Sequence, residues 1–381
     1  MTATLLVALR PDGTVISPDR DRVVTFDREG RLFTYFRRGL TYRRDLASRL
    51  YVRGKAPGSP DIRWWRPVAG DEARSVVEEA YGLAAQARSG AADELARRLD
   101  DEILRWTWDD LARQAEAYRA AYPYPPSILP PDRYLSIVLQ ATFGCTWNRC
   151  TFCALYRDRP FRARDAAEFE EHAWAVRALL GRQWPYRQGL FLGDGNALAL
   201  SLERLEPLVR AAHRVFPGQD LYGFVDLYTG QKSEASKWPT LARQGLRRVY
   251  IGMETGDDEL LALLNKPGSA AELAEFVALL KRSGLSVGLI LMVGAGGRQY
   301  ARRHIQASLA ALAAMPLDRD DLVYLSPFIE EPASPYPELR RRLGLEPMTE
   351  EEIERDLAAL MAAVRDLGLR ASRYDLRAFV Y

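Results

Sequence analysis

The chain of 381 residues is 48% hydrophobic, sets 53 Lys and Arg against 51 Asp and Glu for a net charge of +2, and holds three cysteines. Such a length supports one large domain with additions or two modest ones, and the balanced charge excludes the electrostatic excess of a general nucleic-acid binder. No apolar run approaches the roughly 20 residues that span a bilayer and the N-terminal "TLLVAL" is too short for a signal core, so the chain is expected in the cytoplasm with reduced thiols.

The first 66 residues read as β-rich and antiparallel: "RVVTF" and "RLFTYF" flank the turn-like "DREG", and "LTYRR" and "RLYVR" follow. Composition turns helical from residue 71 to about 121, and "YPYPPSILPPDRY" ends that stretch, because proline cannot continue a helix. We therefore divide the chain into a β-rich segment 1–66, a helical segment 67–128, a main domain 129–331, and a C-terminal helix and strand over 332–381.

In the main domain apolar runs alternate with amphipathic helices. Strands are expected at 134–140, 189–193, 221–227, 247–253, 286–293 and 321–326. Ser269 followed by Glu272 reads as a capping box, with Leu273, Phe276, Val277 and Leu280 on one face and Gly284 closing the helix. A helix from about Asp165 places Phe169, Ala173, Val176 and Leu180 together. Six strands separated by helices imply an α/β fold with a parallel sheet, open and doubly wound or curved into a full or partial barrel; regular alternation without a dinucleotide fingerprint favours the barrel. A further helix is expected from Thr349 to about Leu367, with strand-like "LRASRYDLRAFVY" after it.

All the thiols fall in "GCTWNRCTFC": Cys145, Cys150 and Cys153, just after the first main-domain strand. The ends of such strands are where barrels and open sheets place reactive groups. Three thiolates spaced C-x4-C-x2-C suit a cuboidal iron–sulfur cluster with one iron left open. Zinc is the rival, but a closed zinc site needs a fourth ligand, and His172, His213 and His304 all fall in expected helices.

This loop, followed by "ALYRDRPFRAR", resembles the cluster-binding segment of the radical S-adenosylmethionine (radical SAM) superfamily, in the branch similar to oxygen-independent coproporphyrinogen oxidase and the elongator-type catalytic subunit. Most of that superfamily has three residues between the first two cysteines; here there are four, Thr146 to Arg149. The resemblance covers roughly residues 134–331 and implies a partial (β/α)6 barrel, with the N-terminal β-rich and helical extension and the C-terminal helix and strand as additions. It implies a 4Fe–4S cluster on Cys145, Cys150 and Cys153, with S-adenosylmethionine (SAM) on the open iron. Reductive cleavage would give a 5′-deoxyadenosyl radical that abstracts hydrogen from substrate, with a flavodoxin or ferredoxin as reductant.

The same resemblance implies SAM contacts. Phe152 matches an aromatic position near the adenine, and Gly193, Asp194, Gly195 and Asn196 of "FLGDGNALAL" match the segment that receives the methionine amino group. Glu254 of "GMETGDDELLALLNK" is an acceptor for ribose hydroxyls or the amino group, with a salt bridge inside the barrel as its ordinary role. Gly256 turns the chain into a helix, and Val293 of "LMVGAGG" is an apolar wall for the adenine. Asp226 and Tyr228 are the residues expected to face substrate and act in catalysis; Tyr324 and Ser326 are further candidates.

With every cysteine spent on one cluster, no auxiliary cluster held by cysteine is expected, and no cobalamin signature occurs. The substrate is a small molecule or peptide of unspecified identity. "FRRGLTYRRDLASRLYVRGK" carries seven basic residues among strand positions and reads as a solvated sheet face, with phosphorylated-ligand, acidic-peptide or RNA binding as alternatives. A non-catalytic, haem-trafficking or RNA-binding relative is the alternative to the enzyme.

Overall fold

The computed structural model describes residues 5–56, 59–234 and 236–381. The chain divides into two compact units, one of residues 1–125 with 174–187 and 380–381, the other of 126–173 with 188–379.

The first unit is built on seven antiparallel strands that pair in chain order. They are β1 (Leu6–Arg10), β2 (Gly13–Ser17), β3 (Arg22–Asp27), β4 (Leu32–Arg37), β5 (Leu40–Arg44), β6 (Leu50–Ala56) and β7 (Ser59–Val68). The β3–β4 turn forms where it does because the Asp27 carboxylate accepts from the Glu29 and Arg31 N–H groups, each at 2.9 Å, while Gly30 takes φ +81°. Inward positions Ile16, Val24, Phe26, Leu32, Tyr35 and Val52 share a core with α1 (Gly70–Ser89), whose Val76, Val77, Ala80, Leu83 and Ala84 recur at helical spacing. Then come α2 (Asp93–Arg98), a π-helical turn over Leu99–Leu104 and α3 (Trp108–Ala121), started by a capping box between Thr107 and Asp110.

One basic residue expected on a solvated face is not there: Arg44 is buried with Arg31 around Asp27. Arg37, part-buried, pairs with Glu79, and Arg49, exposed, pairs with Asp45 at 2.7 Å. The aliphatic half of each strand needs a partner surface, and these guanidiniums reach inward or across the sheet to the carboxylates beside it.

The second unit holds a parallel sheet. Its strands are β8 (Ile137–Gln140), β11 (Leu190–Gly193), β12 (Leu221–Phe224), β13 (Leu246–Glu254), β14 (Ser286–Val293), β15 (Leu322–Pro327) and β16 (Arg370–Arg373), in the order β16-β15-β14-β13-β12-β11-β8. Six of them are the six expected strands. The seventh, β16, comes from the strand-like C-terminal segment and pairs parallel to β15, so the parallel sheet has seven strands rather than six. The radical-SAM-type α/β architecture, with its antiparallel N-terminal addition, is as expected. Two strands are shorter than expected: a 3-10 turn over Pro131–Arg133 and a bend over 134–136 precede β8, and the chain after Phe224 leaves the sheet so that Asp226 can cap the next helix. A separate antiparallel pair, β9 (Thr142–Phe143) with β10 (Arg162–Ala163), follows β8.

Helices connect the strands: α4 (Ala166–Leu180), α5 (Leu202–Val215), α6 (Leu227–Gln231), α7 (Lys237–Arg243), α8 (Asp258–Leu263), α9 (Ala270–Arg282), α10 (Gly297–Ala314), α11 (Tyr336–Leu343) and α12 (Glu350–Asp366). Phe169, Ala173, Val176 and Leu180 of α4 are buried, as are Leu273, Phe276, Val277 and Leu280 of α9. Ser269 caps α9 by accepting from the Glu272 N–H at 3.2 Å, and Gly284 takes φ +79° just beyond its end. Among the described residues, no helix is long and apolar enough to cross a membrane.

Candidate functional site

Parallel pairing puts all strand C-terminal ends on one side of the sheet, and the candidate residues follow those ends. The cysteine loop leaves β9 at Gly144, which takes φ +73° and has no room for a side chain, since a Cβ there would lie 3.0 Å from the Pro160 carbonyl. It returns through β10, and the Phe143–Arg162 and Thr142–Ala163 pairings close its base. Within it Asn148 takes φ +48° and donates to the Tyr156 carbonyl at 3.0 Å. Arg157 reaches the backbone carbonyls of Cys153 (2.7 Å) and Cys150 (2.8 Å), fixing the short segment that holds the second and third thiols.

The three thiols are part-buried. Burial pushes the Cys150 thiol up to about 12 and also raises Cys153, while the nearby Lys266 ammonium acts the other way. Such thiols ionise when a metal takes the place of the proton. Among the described residues no three His, Cys, Asp or Glu side chains close on a single ion. A cuboidal cluster makes a different demand, because each of its thiolates binds a different iron. The donor set, three cysteines in a loop pinned at both ends, therefore fits a cluster.

The end of β11 continues into Asp194, Gly195 and Asn196. Asp194 is buried with its carboxylate 3.3 Å from Arg159, and burial pushes the carboxyl up to about 7 against the pull of that guanidinium. A Cβ on Gly195 would lie 2.5 Å from the Tyr156 ring, and one on Gly193 3.1 Å from Val138, so close packing requires both glycines. Asn196 joins a network at the end of β12. Its amide accepts from the Asp226 N–H at 2.9 Å and donates to Thr146 Oγ1 at 2.5 Å and to the Asp226 carboxylate. Asp226 also accepts from the Thr229 N–H (2.8 Å), Thr229 Oγ1 (2.6 Å) and Thr146 Oγ1 (3.2 Å). Both oxygens of Asp226 are thus engaged in capping α6 and holding the residue after Cys145. Tyr228 is 42% exposed, with the Trp147 ring 6.0 Å away and Lys232 Nζ 3.5 Å above its face.

Glu254 ends β13 at φ +60°, where the pairing with β14 shifts register, and Lys266 Nζ lies 2.9 Å from its carboxylate. Gly252 is the floor of this pair: a Cβ there would meet Glu254 Oε1 at 2.2 Å. Burial works against the Lys266 charge, but Glu254 outweighs it and holds the ammonium above its ordinary value. The ordinary role weighed for Glu254, a buried salt bridge, is present in the structure. Gly256 is a packing glycine as well as a turn: a Cβ would lie 2.4 Å from the Ala307 carbonyl of α10, and its N–H donates to Ser308 Oγ at 2.9 Å.

Phe152 packs against an apolar cluster of Leu260, Leu264, Met292, Ala295 and Tyr336 at the end of β14, and Val293, the last residue of that strand, is buried. Tyr324 lies elsewhere. Its hydroxyl donates to Asp132 at 2.6 Å, and Asp132 also takes Tyr250 (2.7 Å) and Arg248 (2.9 Å), a polar plug from the turn that precedes β8. Ser326, two residues on, is buried near the end of β15.

Four participants escaped the sequence reading: Lys266, Arg159, Arg157 and Thr146. All but Arg157, which bonds carbonyls four and seven residues away, depend on an interaction between segments apart in the chain. Only the Arg-rich "ALYRDRPFRAR" after the cysteines gave any sign, for Arg157 and Arg159.

Residues 139–305, a little under half of the chain, match the model of the radical SAM superfamily. The match supports an enzyme of the radical SAM type, and members of that superfamily use a 4Fe–4S cluster and SAM. No curated protein matches it in sequence. Among solved structures it is similar to coproporphyrinogen III oxidase (HemN) from Escherichia coli, at 17% identity over 67% of this chain and 56% of that one, with a TM-score of 0.48. It is also similar to methylornithine synthase (PylB), at 14% identity over 77% and 81% of the two chains with a TM-score of 0.43. The archaeal Methanocaldococcus infernus Elp3 matches at 17% identity over 54% of this chain and 53% of its own, with a TM-score of 0.43. The chain thus spans little more than half the length of HemN.

Proposed function

We propose that this chain is a cytoplasmic radical SAM enzyme that holds a 4Fe–4S cluster on Cys145, Cys150 and Cys153 and binds SAM along the ends of β11, β13 and β14. When bound, the group supplies one-electron cleavage of SAM to methionine and a 5′-deoxyadenosyl radical, which takes a hydrogen atom from substrate. What supports this reading is that the cysteine loop, which also holds Phe152, and the separate Asp194 and Glu254 all follow the C-terminal ends of strands of one parallel sheet.

The protein's own residues have distinct tasks in this proposal. Asp194, and the glycines that let the backbone approach, receive the methionine ammonium. Glu254 accepts from ribose hydroxyls, with Lys266 setting its orientation. Phe152 and the Met292–Val293 end of β14 exclude water beside the adenine. Asn196 and Asp226 hold Thr146, next to the first cysteine, rather than touching SAM or substrate; Tyr228, half-exposed, keeps its candidacy on the substrate side. We assign the core to 129–331, substrate selection to 1–128, and the strand that extends the sheet to 332–381. The reductant is a flavodoxin or ferredoxin, and the substrate a small molecule or peptide.

The test is anaerobic reconstitution, expected to give four irons and four sulfides per chain and, after reduction with SAM, 5′-deoxyadenosine. Cys→Ala at any of the three positions is expected to remove both. Stoichiometric zinc without labile sulfide would sink the proposal. Stoichiometric haem binding with SAM cleavage but no turnover of any partner would favour the trafficking alternative.

A further inference from the structure

The loop between the first two cysteines is one residue longer than the spacing expected from the resemblance, and the structure shows what its four residues do. They are tied to three places. Thr146 is held by Asn196 and Asp226, and Asn148 by the Tyr156 carbonyl. Trp147 Nε1 donates to the Asn265 carbonyl at 2.8 Å, and Asn265 Nδ2 returns to the Arg149 carbonyl at 2.9 Å. The next residue after Cys150, Thr151, donates its N–H to the Leu264 carbonyl at 2.9 Å. Residues 264 and 265, in the turn after α8, therefore stitch both sides of Cys150 to the strand–helix unit that also carries Glu254. Asn265 is at φ +50°, a left-handed conformation that Asn tolerates better than most residues, and it presents carbonyl and side chain to the loop at once.

We infer that Asn265 and its turn form a brace that sets the position of Cys150, and that this brace accommodates the longer spacing between Cys145 and Cys150. Asn265 is a positioning residue: it reaches the cluster only through the backbone of residues 147–151. The inference rests on the cluster assignment above for its consequences, but the brace itself is a property of the protein without iron. A loop held before the metal arrives loses less conformational freedom on binding it, so metal leaves more slowly and the ligand geometry is uniform.

Two substitutions separate the brace from general stability. Asn265→Gly keeps the left-handed backbone and the carbonyl that receives Trp147, and removes only the bond to Arg149. Trp147→Phe keeps an aromatic ring and removes only the indole donor. In iron-free protein, hydrogen exchange at the Thr151 amide is expected to rise about tenfold in the Asn265→Gly variant and severalfold in Trp147→Phe, while exchange in β13 and β14 is unchanged. In reconstituted protein, anaerobic transfer of iron to a ferrous chelator is expected to accelerate about three- to tenfold. The electron paramagnetic resonance signal of the reduced cluster should broaden or split, which a merely structural role would not cause. Wild-type exchange, iron release and spectra in both variants would overturn the inference. Failure of the wild-type chain to take up iron would overturn the cluster assignment instead, and the exchange measurement would still decide whether the brace exists. If Asn265→Gly unfolds, Trp147→Phe alone carries the same expectations and the same power to refute.

Discussion

The two seven-stranded sheets of this chain treat buried charge in opposite ways. In the antiparallel sheet Asp27 collects the guanidiniums of Arg31 and Arg44 and two backbone N–H groups, and Arg31 spends its remaining donors on Gln114 and on the Leu179 and Leu180 carbonyls. The network is self-contained. In the second unit two buried carboxylates, Asp194 and Glu254, stand at strand C-terminal ends, and among the described residues each forms one ion pair, with Arg159 and Lys266, whereas Asp321 before β15 is closed off by Lys281 and the Val287 and Asp318 N–H groups. A closed network stabilises a fold; a carboxylate with lone pairs to spare at the edge of a sheet is available to a ligand. The difference supports placing the proposed SAM site at the strand ends of the second unit, independently of the cysteines.

The comparison breaks most visibly at Asp27. Removing one member of a buried, hydrogen-bonded ion network leaves uncompensated charge and costs roughly 3–5 kcal/mol. Asp27→Ala is therefore expected to lower the midpoint of chemical denaturation strongly, or to unfold the first unit, and to leave the iron content of the second intact. Equal loss of iron and of fold would mean that the two behaviours are not separable.

Buried ionisable groups in the second unit sharpen the contrast through pH. His304 is buried, its Nδ1 is 2.9 Å from Thr255 Oγ1, and burial lowers its pKa to about 4. Between about 4 and the ordinary value near 6.5 the unfolded chain binds a proton that the folded chain refuses, so His304 costs stability as pH falls through that window, up to about 3 kcal/mol. Asp194 has the reverse sign. With its folded pKa raised to about 7, its contribution is fully present below the ordinary carboxylate value and is lost as pH rises through 7. The two slopes oppose each other over the same range. Asp194→Asn is expected to steepen the fall in melting temperature from pH 6.5 to 4, and His304→Gln to flatten or reverse it. Parallel curves for both variants and the wild type would remove this account.

Much of this was legible in the sequence, and the reasons differ by element. Runs such as "SVGLILMV" mark parallel strands because both faces are covered, and β14 is buried along seven of its eight residues. The cysteines needed no fold to be noticed. Pairs such as Lys266 with Glu254, or Arg159 with Asp194, were not legible because neither periodicity nor composition encodes which strand ends will be neighbours. Asp226 shows the same limit from the other side: its place at a strand end was read correctly, but the bonds that occupy its carboxylate come from Thr146, Asn196 and Thr229. The basic run misled because strand period says which residues share a face, not whether a long guanidinium reaches a carboxylate in the interior, as Arg44 does.

A smaller effect is expected from the proposed SAM-binding residues. Asp194→Ala and Glu254→Ala each remove a charged acceptor, and hydrogen bonds to charged groups contribute about 1.5–3 kcal/mol. SAM affinity measured by calorimetry on the reconstituted protein is expected to fall at least tenfold in each variant with iron content unchanged. Unaltered affinity in both would displace SAM from these strand ends.

The smallest expected effect concerns the antiparallel sheet as a surface. Of the seven basic residues in 36–55, Arg37, Arg44 and Arg49 are committed to Glu79, Asp27 and Asp45, and the Arg43 and Arg53 guanidiniums lie 5.7 Å and 5.4 Å from the Phe33 and Trp65 ring centroids. A polyanion would have to displace these partners, and each displacement subtracts from what a bound phosphate returns. Replacing Arg43 and Arg53 with Gln is therefore expected to leave the salt dependence of single-stranded RNA binding unchanged. Were either side chain to neutralise a phosphate, its replacement would flatten the slope of log affinity against log salt by roughly 0.7. A flattening of that size would assign the face to nucleic acid and make the first unit, like the second, a binding unit with a stable core behind it.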